Sequence, residues 1–447
     1  MDFIEACRKI ISFDSTPFQS TKAMMEWAAQ QATACGLQVE LQEEFVGDVP
    51  HANLIIRPQS GRSDAEFMLQ TRLDTVDAGP YPLWEKNDQN PFDARIVDGK
   101  IYGLGSADVK LDFLCKLEAM KSFATRPKWT LTPVLVATFG EETGMSGALK
   151  LIRKNKVSPK MALIGEPSDL NLISAAKGFA HVEVEIPFSE VEIEYRQNHN
   201  LRESTSTQSR MFTGRAAHSA TPHLGESAIE KMFTYMEQLP QNTAVMEIDG
   251  GISPHTVPAH AFIELDPVQL ENTIITKIIT LRTAIKSLEK EFSKVEDIEF
   301  EPKTPTLSIG MIRTQEETVV ISGNCRIPPK VSQSIYEEWM ESLRKVCDQI
   351  GAHFRIVNYK RPFRTERNSI LVRGCLDILR QMDLPSQCIT QASTNEASLF
   401  ARTGIDCVCF GAGKREGNLH TPTENVDIEH LHKATEFYKK AIERFCL

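Results

Sequence analysis

Phe67-Met-Leu-Gln-Thr-Arg-Leu-Asp74, Val134-Leu-Val-Ala-Thr-Phe-Gly-Glu-Glu142 and Met161-Ala-Leu-Ile-Gly-Glu166 follow one pattern. Each is a mostly apolar run of strand length that ends on a carboxylate. Runs without strict alternation read as strands buried on both faces. Helical patterns at 109–123 and 147–152 separate the later runs. Alternating strands and helices predict an α/β fold, a mixed sheet covered by helices on both faces. Upstream, Phe3, Ile4, Cys7, Ile10 and Ile11 mark one helical face. A second helix is expected at 22–34, closed by Gly36, with strands at 37–41 and 53–56.

The middle of the chain changes character. Segments 181–186 and 191–195 alternate apolar and charged residues, predicting antiparallel strands with one wet face. Helices are expected at 229–239, 274–292 and 334–350, and further strands at 318–322 and 354–357. Residues 177–362 thus read as a smaller α+β domain. It interrupts an α/β domain made of 1–176 and 363–447, which resumes with a helix at 370–382, a strand at 405–410 and a helix at 428–445. The polar segment 198–211 reads as an exposed insertion.

Composition narrows the function. The chain has 447 residues, with 41% hydrophobic and 25% charged, as for an ordinary globular protein of two or three domains. Its net charge of -10 argues against a nucleic-acid partner, which needs a basic stripe. No run reaches the roughly 18 apolar residues of a membrane helix. Met1-Asp2-Phe3-Ile4-Glu5 carries acids where a signal peptide carries Lys or Arg, so a cytoplasmic enzyme is expected. The 10 cysteines are scattered and read as reduced core thiols.

Asp74, Glu141, Glu142 and Glu166 all fall at the C-terminal ends of expected strands, the edge where open α/β sheets bind ligands. Asp108 joins them from the Gly-rich turn at 103–107, and His420 from the loop after the last strand. Any one of these acids alone could be a helix cap. Together they would repel one another without a cation, which points to a metal site.

At these residues the chain resembles the zinc-dependent aminoacylase family, which includes acetylornithine deacetylase, succinyl-diaminopimelate desuccinylase and carboxypeptidases of the glutamate carboxypeptidase type. The matching stretches are Leu73-Asp-Thr-Val76, Trp84 with Asn90-Pro-Phe92, Asp98-Gly-Lys-Ile-Tyr-Gly-Leu-Gly-Ser-Ala-Asp-Val-Lys110, Phe139-Gly-Glu-Glu-Thr-Gly144, Gly165-Glu-Pro-Ser168, Ala176-Lys-Gly178, Ala217-His-Ser-Ala-Thr-Pro222 and His420-Thr-Pro-Thr-Glu424. The resemblance implies a catalytic domain with a lid, or dimerisation, domain inserted. It also implies a homodimer and a zinc, cobalt or manganese centre of one ion or two. Asp108 would bridge, Glu142 and His420 would complete one metal site, and Glu166 would serve the other. Glu141 would be the general base, supported by Asp74. His218 on the lid would reach the oxyanion across the dimer interface. Arg326 would grip a substrate carboxylate, with Asn395 and His255 also near the substrate.

Two departures stand out. The family carries His-x-Asp where this chain has Arg72-Leu-Asp74, and arginine does not ligate metal. Three readings follow. The guanidinium substitutes for one ion, leaving the other on Asp108, Glu142 and His420, with Arg72 near Asp74 and Glu166. It turns aside to pair with Asp74, leaving two weaker ions. Or the protein is a non-catalytic member. In the lid, His255 replaces an expected Asn, Asn324-Cys-Arg326 replaces Asp-x-Arg, and 267–305 looks inserted. The implied activity is hydrolysis of an amide bond in a small carboxylate-bearing substrate. An N-acyl amino acid is expected, as for acetylornithine deacetylase, because Glu at position 166 goes with deacylases and carboxypeptidases. A dipeptidase or carboxypeptidase acting through the same site is the alternative. The expected partners are such small molecules, with neither nucleic acid nor membrane.

Overall fold

The computed structural model describes residues 2–61, 64–199 and 207–447. The chain divides into two compact units. One comprises Met1–Ala175, Phe363–Thr390 and Asn395–Leu447, the other Ala176–Pro362 and Gln391–Thr394.

The first unit is built on a nine-stranded mixed sheet. Its order is Gln38–Val46, Val49–Arg57, Thr132–Thr138, Glu66–Arg72, Pro159–Gly165, Asp406–Phe410, Leu172–Ala176 and Phe363–Arg364, with Cys388–Gln391 also paired to Leu172–Ala176. The central pairings are parallel. Every residue of Glu66–Arg72 and of Thr132–Thr138 is buried, as their apolar runs require. Register places Arg72 beside Thr138, Gln70 beside Ile164, and Phe410 beside Gly165. The segments bearing Arg72 and Asp74, Glu141 and Glu142, Glu166, and His420 therefore leave the sheet side by side.

Helix Lys110–Lys121 packs on this sheet and on the closing helix Ile428–Cys446. Between them lies a charged network in the core. Lys116 Nζ pairs with Asp112 Oδ2 at 2.7 Å, and Thr71 Oγ1 donates to the same oxygen at 2.8 Å. The Tyr438 hydroxyl donates to Asp112 Oδ1 at 2.5 Å. Gly165 ends its strand against this network: a Cβ there would clash with Asp112 Oδ2. Removing one partner of a buried ion pair strands the other charge, at a cost of about 3–5 kcal/mol. Asp112→Ala is expected to lower unfolding free energy by about that much. Asp112→Ala with Lys116→Met should recover part of it in urea melts.

A hairpin of Arg95–Val97 and Lys100–Tyr102 turns on Asp98 (φ 49°) and Gly99 (φ 75°), a two-residue turn that needs positive φ at both positions. Asn425–Asp427 adds a third strand. That strand ties the loop carrying His420 to the turn carrying Asp108.

The second unit is a seven-stranded antiparallel sheet ordered Gln208–Thr213, His260–Gln269, Thr243–Gly250, Thr306–Thr314, Thr318–Ile327, Gly178–Pro187 and His353–Lys360. Helices Ala228–Met236, Ile274–Phe292 and Gln333–Gln349 share its apolar core. The sequence 191–195, expected as a strand, instead lies in helix Glu190–His199. A reciprocal cap decides this. Ser189 N–H donates to Glu192 Oε2 at 2.9 Å, and Glu192 N–H donates to Ser189 Oγ at 3.3 Å. Of the expected insertion 198–211, residues 200–206 lie outside the described residues, and Gln208–Thr213 is the edge strand of the sheet. All ten cysteines are free thiols, and eight are buried. Among the described residues no helix is long and apolar enough to cross a membrane.

Candidate metal centre

Arg72 is the last residue of its strand and is 6% exposed. Its Nη1 reaches Glu166 Oε1 at 2.7 Å, its Nε reaches Glu141 Oε2 at 3.3 Å, and its Nη2 reaches Glu142 Oε1 at 3.5 Å. Nη2 also pairs closely with Asp108 Oδ1. The guanidinium is thus held by four carboxylates, and Asp74 is not among these pairs.

Asp74 supports the centre differently. Its Oδ2 accepts the Glu142 N–H at 2.9 Å, fixing the turn that carries Glu141 and Glu142, while its buried Oδ1 has no hydrogen-bond partner among the described residues. Asp108 faces two ways. One oxygen is on the guanidinium, and the other is 3.1 Å from His420 Nε2. Asp108, Glu142 and His420 each offer a ligand atom, and these atoms lie within 4.8 Å of one another. Glu166 is outside that trio and faces Arg72. Arg415 Nη1 lies 3.4 Å from its other oxygen.

The charges follow from this packing. Burial pushes Glu141 well above the usual carboxylate range, with Arg72 opposing and Glu142 and Glu166 adding to the rise. Burial likewise raises Glu142 to about 7 against the pull of Arg72. Asp108 is buried too, yet Arg72 and the His420 hydrogen bond hold it below the usual range. Its hydrogen bond to Asp108 raises the His420 pKa.

Two buried glutamates, Glu424 and Glu396, support the sheet edge. Glu424, quoted in the motif after His420, accepts the Ala107 and Asp108 N–H groups at 2.9 and 3.0 Å and so shapes the Asp108 turn. Glu396 accepts from Thr138 Oγ1 at 2.7 Å and from Gln70 Nε2. Burial raises Glu396 to about 8. The signal for these two partners was available only as polar residues, Gln70 and Thr138, inside otherwise apolar strands. Asn395, expected near the substrate, is fully buried, and its Oδ1 accepts the Ala397 N–H at 3.0 Å, just before the short helix Ala397–Ala401.

Within the second unit, His218 is exposed and pairs across a two-stranded ribbon with Thr256, its Nδ1 accepting the Ala220 N–H at 3.0 Å. Arg326 is 4% exposed. Its guanidinium lies 4.7 Å over the Phe179 ring, and its Nε has no hydrogen-bond partner among the described residues. Burial lowers its pKa to about 10. His255 stacks on Phe179, with ring centroids 5.3 Å apart, and burial, then Arg326, lowers its pKa to about 4.

The chain is 24% identical to an acetylornithine deacetylase of Myxococcus xanthus, over 98% of this chain and 96% of that one. Its fold is similar to that of an aminoacylhistidine dipeptidase from Vibrio alginolyticus, with TM-score 0.64, 15% identity, and 99% and 96% of the two chains covered. A Bacillus subtilis protein described as a dinuclear metal binding peptidase aligns with TM-score 0.50 and 13% identity over 99% and 97% of the chains. The family model for peptidase family M20/M25/M40 matches residues 68–444. This bears out the resemblance read from the motifs, and the chain belongs to that family of metal-dependent hydrolases.

Proposed function

We propose that the chain hydrolyses an amide bond in a small carboxylate-bearing substrate, an N-acyl amino acid first of all, releasing a free amine and a small acid. The observation that carries this reading is the trio Asp108, Glu142 and His420 beside Glu141. Two carboxylates and an imidazole within 4.8 Å suit zinc, and also cobalt or manganese. A divalent ion held there supplies Lewis acidity, which makes water nucleophilic near neutral pH.

The chain's own groups do the rest. Glu141, with its raised pKa, takes a proton from the attacking water and passes it to the leaving nitrogen. Asp74 holds the backbone of Glu142 and so the direction of both neighbouring glutamates. Arg326 is a buried cation whose Nε has no hydrogen-bond partner among the described residues, and a substrate carboxylate would supply a counter-charge. The amino-acid substrate class also draws on the acetylornithine deacetylase relative.

N-acetyl and N-succinyl amino acids and dipeptides, each tested with zinc, cobalt and manganese, separate the readings. Turnover of N-acyl amino acids is expected. Cleavage of dipeptides alone would favour the dipeptidase reading. Arg326→Met is expected to lower kcat/KM on N-acyl amino acids by roughly 10²-fold or more, since losing one partner of a desolvated charge pair costs about 2–5 kcal/mol. Most of the loss should appear in KM, and amidated substrates should be little affected.

A further inference from the structure

We infer that the Arg72 guanidinium is a built-in cation standing where a second metal ion would otherwise bind, so that the centre takes one divalent ion and not two. The inference deepens the metal-dependent reading above and rests on it. Three observations carry it. The first is the cage. A second ion would need carboxylate oxygens, and those of Asp108 and Glu166 that face Arg72 are already on its Nη2 and Nη1. The second is the division of Asp108. In paired-metal sites one carboxylate is shared between two ions roughly 3.5–4 Å apart. Here Asp108 gives one oxygen to the guanidinium and turns the other to His420, so it is shared between Arg72 and the metal trio. The third is burial. Arg72 is 6% exposed, the last residue of a fully buried strand in the middle of the sheet, so swinging it into solvent would break the packing at the strand end.

Charge explains why the replacement works. Without a cation, Asp108, Glu141, Glu142 and Glu166 would repel one another at the sheet edge. A guanidinium keeps its charge even when buried and offers planar, directed donors to several carboxylates at once. It accepts no lone pair, so it neutralises and orients but polarises no substrate oxygen by coordination. That task falls to the single ion. Glu166 changes its job accordingly, from a metal ligand to the anchor of Arg72.

Elemental analysis and native mass spectrometry of the whole chain, loaded with zinc and freed of excess, test this without reference to activity. The wild-type protein is expected to hold one zinc ion per chain. Glu166→Gln is expected to hold one as well, because Glu166 is not a ligand of that ion. Arg72→His is expected to take up a second ion. In the cobalt-loaded form its electron paramagnetic resonance signal should weaken through coupling between neighbouring ions, while the wild-type signal stays that of an isolated ion. Two zinc ions on the wild-type chain, or loss of one ion in Glu166→Gln, would overturn the inference while leaving the metal-dependent reading intact. No zinc on a folded wild-type chain would overturn both. A folded Arg72→His that still holds one ion would show that position 72 is not a displaced ligand site, and would overturn the inference alone.

Discussion

Replacing Glu141 with glutamine is expected to lower kcat about 10³-fold while leaving bound zinc unchanged. Proton transfer by a positioned side chain is worth about 10²–10⁴-fold, and the glutamine amide accepts no proton at neutral pH. The shape of the side chain is kept, and Glu141 is not one of the three groups that could hold the ion. Its carboxyl lies 3.3 Å from Arg72 Nε, so the change replaces one of four carboxyl groups around the guanidinium and leaves the other three. Activity assays and zinc analysis on the same preparation check this. Loss of zinc together with activity would make Glu141 a ligand and remove its role as base.

His420→Ala is expected to abolish detectable turnover by the opposite route. The imidazole is the one nitrogen donor of the trio, and half of its side chain is exposed, so its removal disturbs little packing. Changing even a group that only orients a metal ligand costs about 10–100-fold in affinity, and losing a ligand outright should cost more. The variant should unfold at the wild-type temperature without zinc, yet show little of the stabilisation that zinc gives the wild type. Equal stabilisation of both proteins by zinc would place the ion elsewhere.

Much of this was legible in the sequence because burial writes itself into the chain. Strands covered on both faces give unbroken apolar runs, and Glu66–Arg72, Thr132–Thr138 and Pro159–Gly165 lie where those runs do. The carboxylates that end them are visible as interruptions. The segment 191–195 misled because Val-Glu-Ile-Glu-Tyr alternates like a strand. The deciding signal was the Ser189-x-x-Glu192 cap just upstream. Asp112 and Lys116 look like a surface pair one helical turn apart, and only the packing of helix Ile428–Cys446 shows them to be enclosed. Arg72 was conspicuous as an arginine in place of a histidine. Which carboxylates it would hold was not readable, because that depends on Thr138 and Ile164 being the neighbours of its strand. One expected arrangement, an Arg72–Asp74 pair, gives way to contacts with Asp108, Glu141, Glu142 and Glu166, since Asp74 is engaged by the Glu142 N–H.

The most direct test is a zinc titration of the metal-free wild-type protein, following release of free amine from an N-acetyl amino acid. The rate should be near zero without zinc, rise linearly, and break to a plateau at one ion per chain. A protein that turns over neither N-acyl amino acids nor dipeptides at any zinc loading, while binding the metal, would contradict a working one-ion hydrolase built around Arg72.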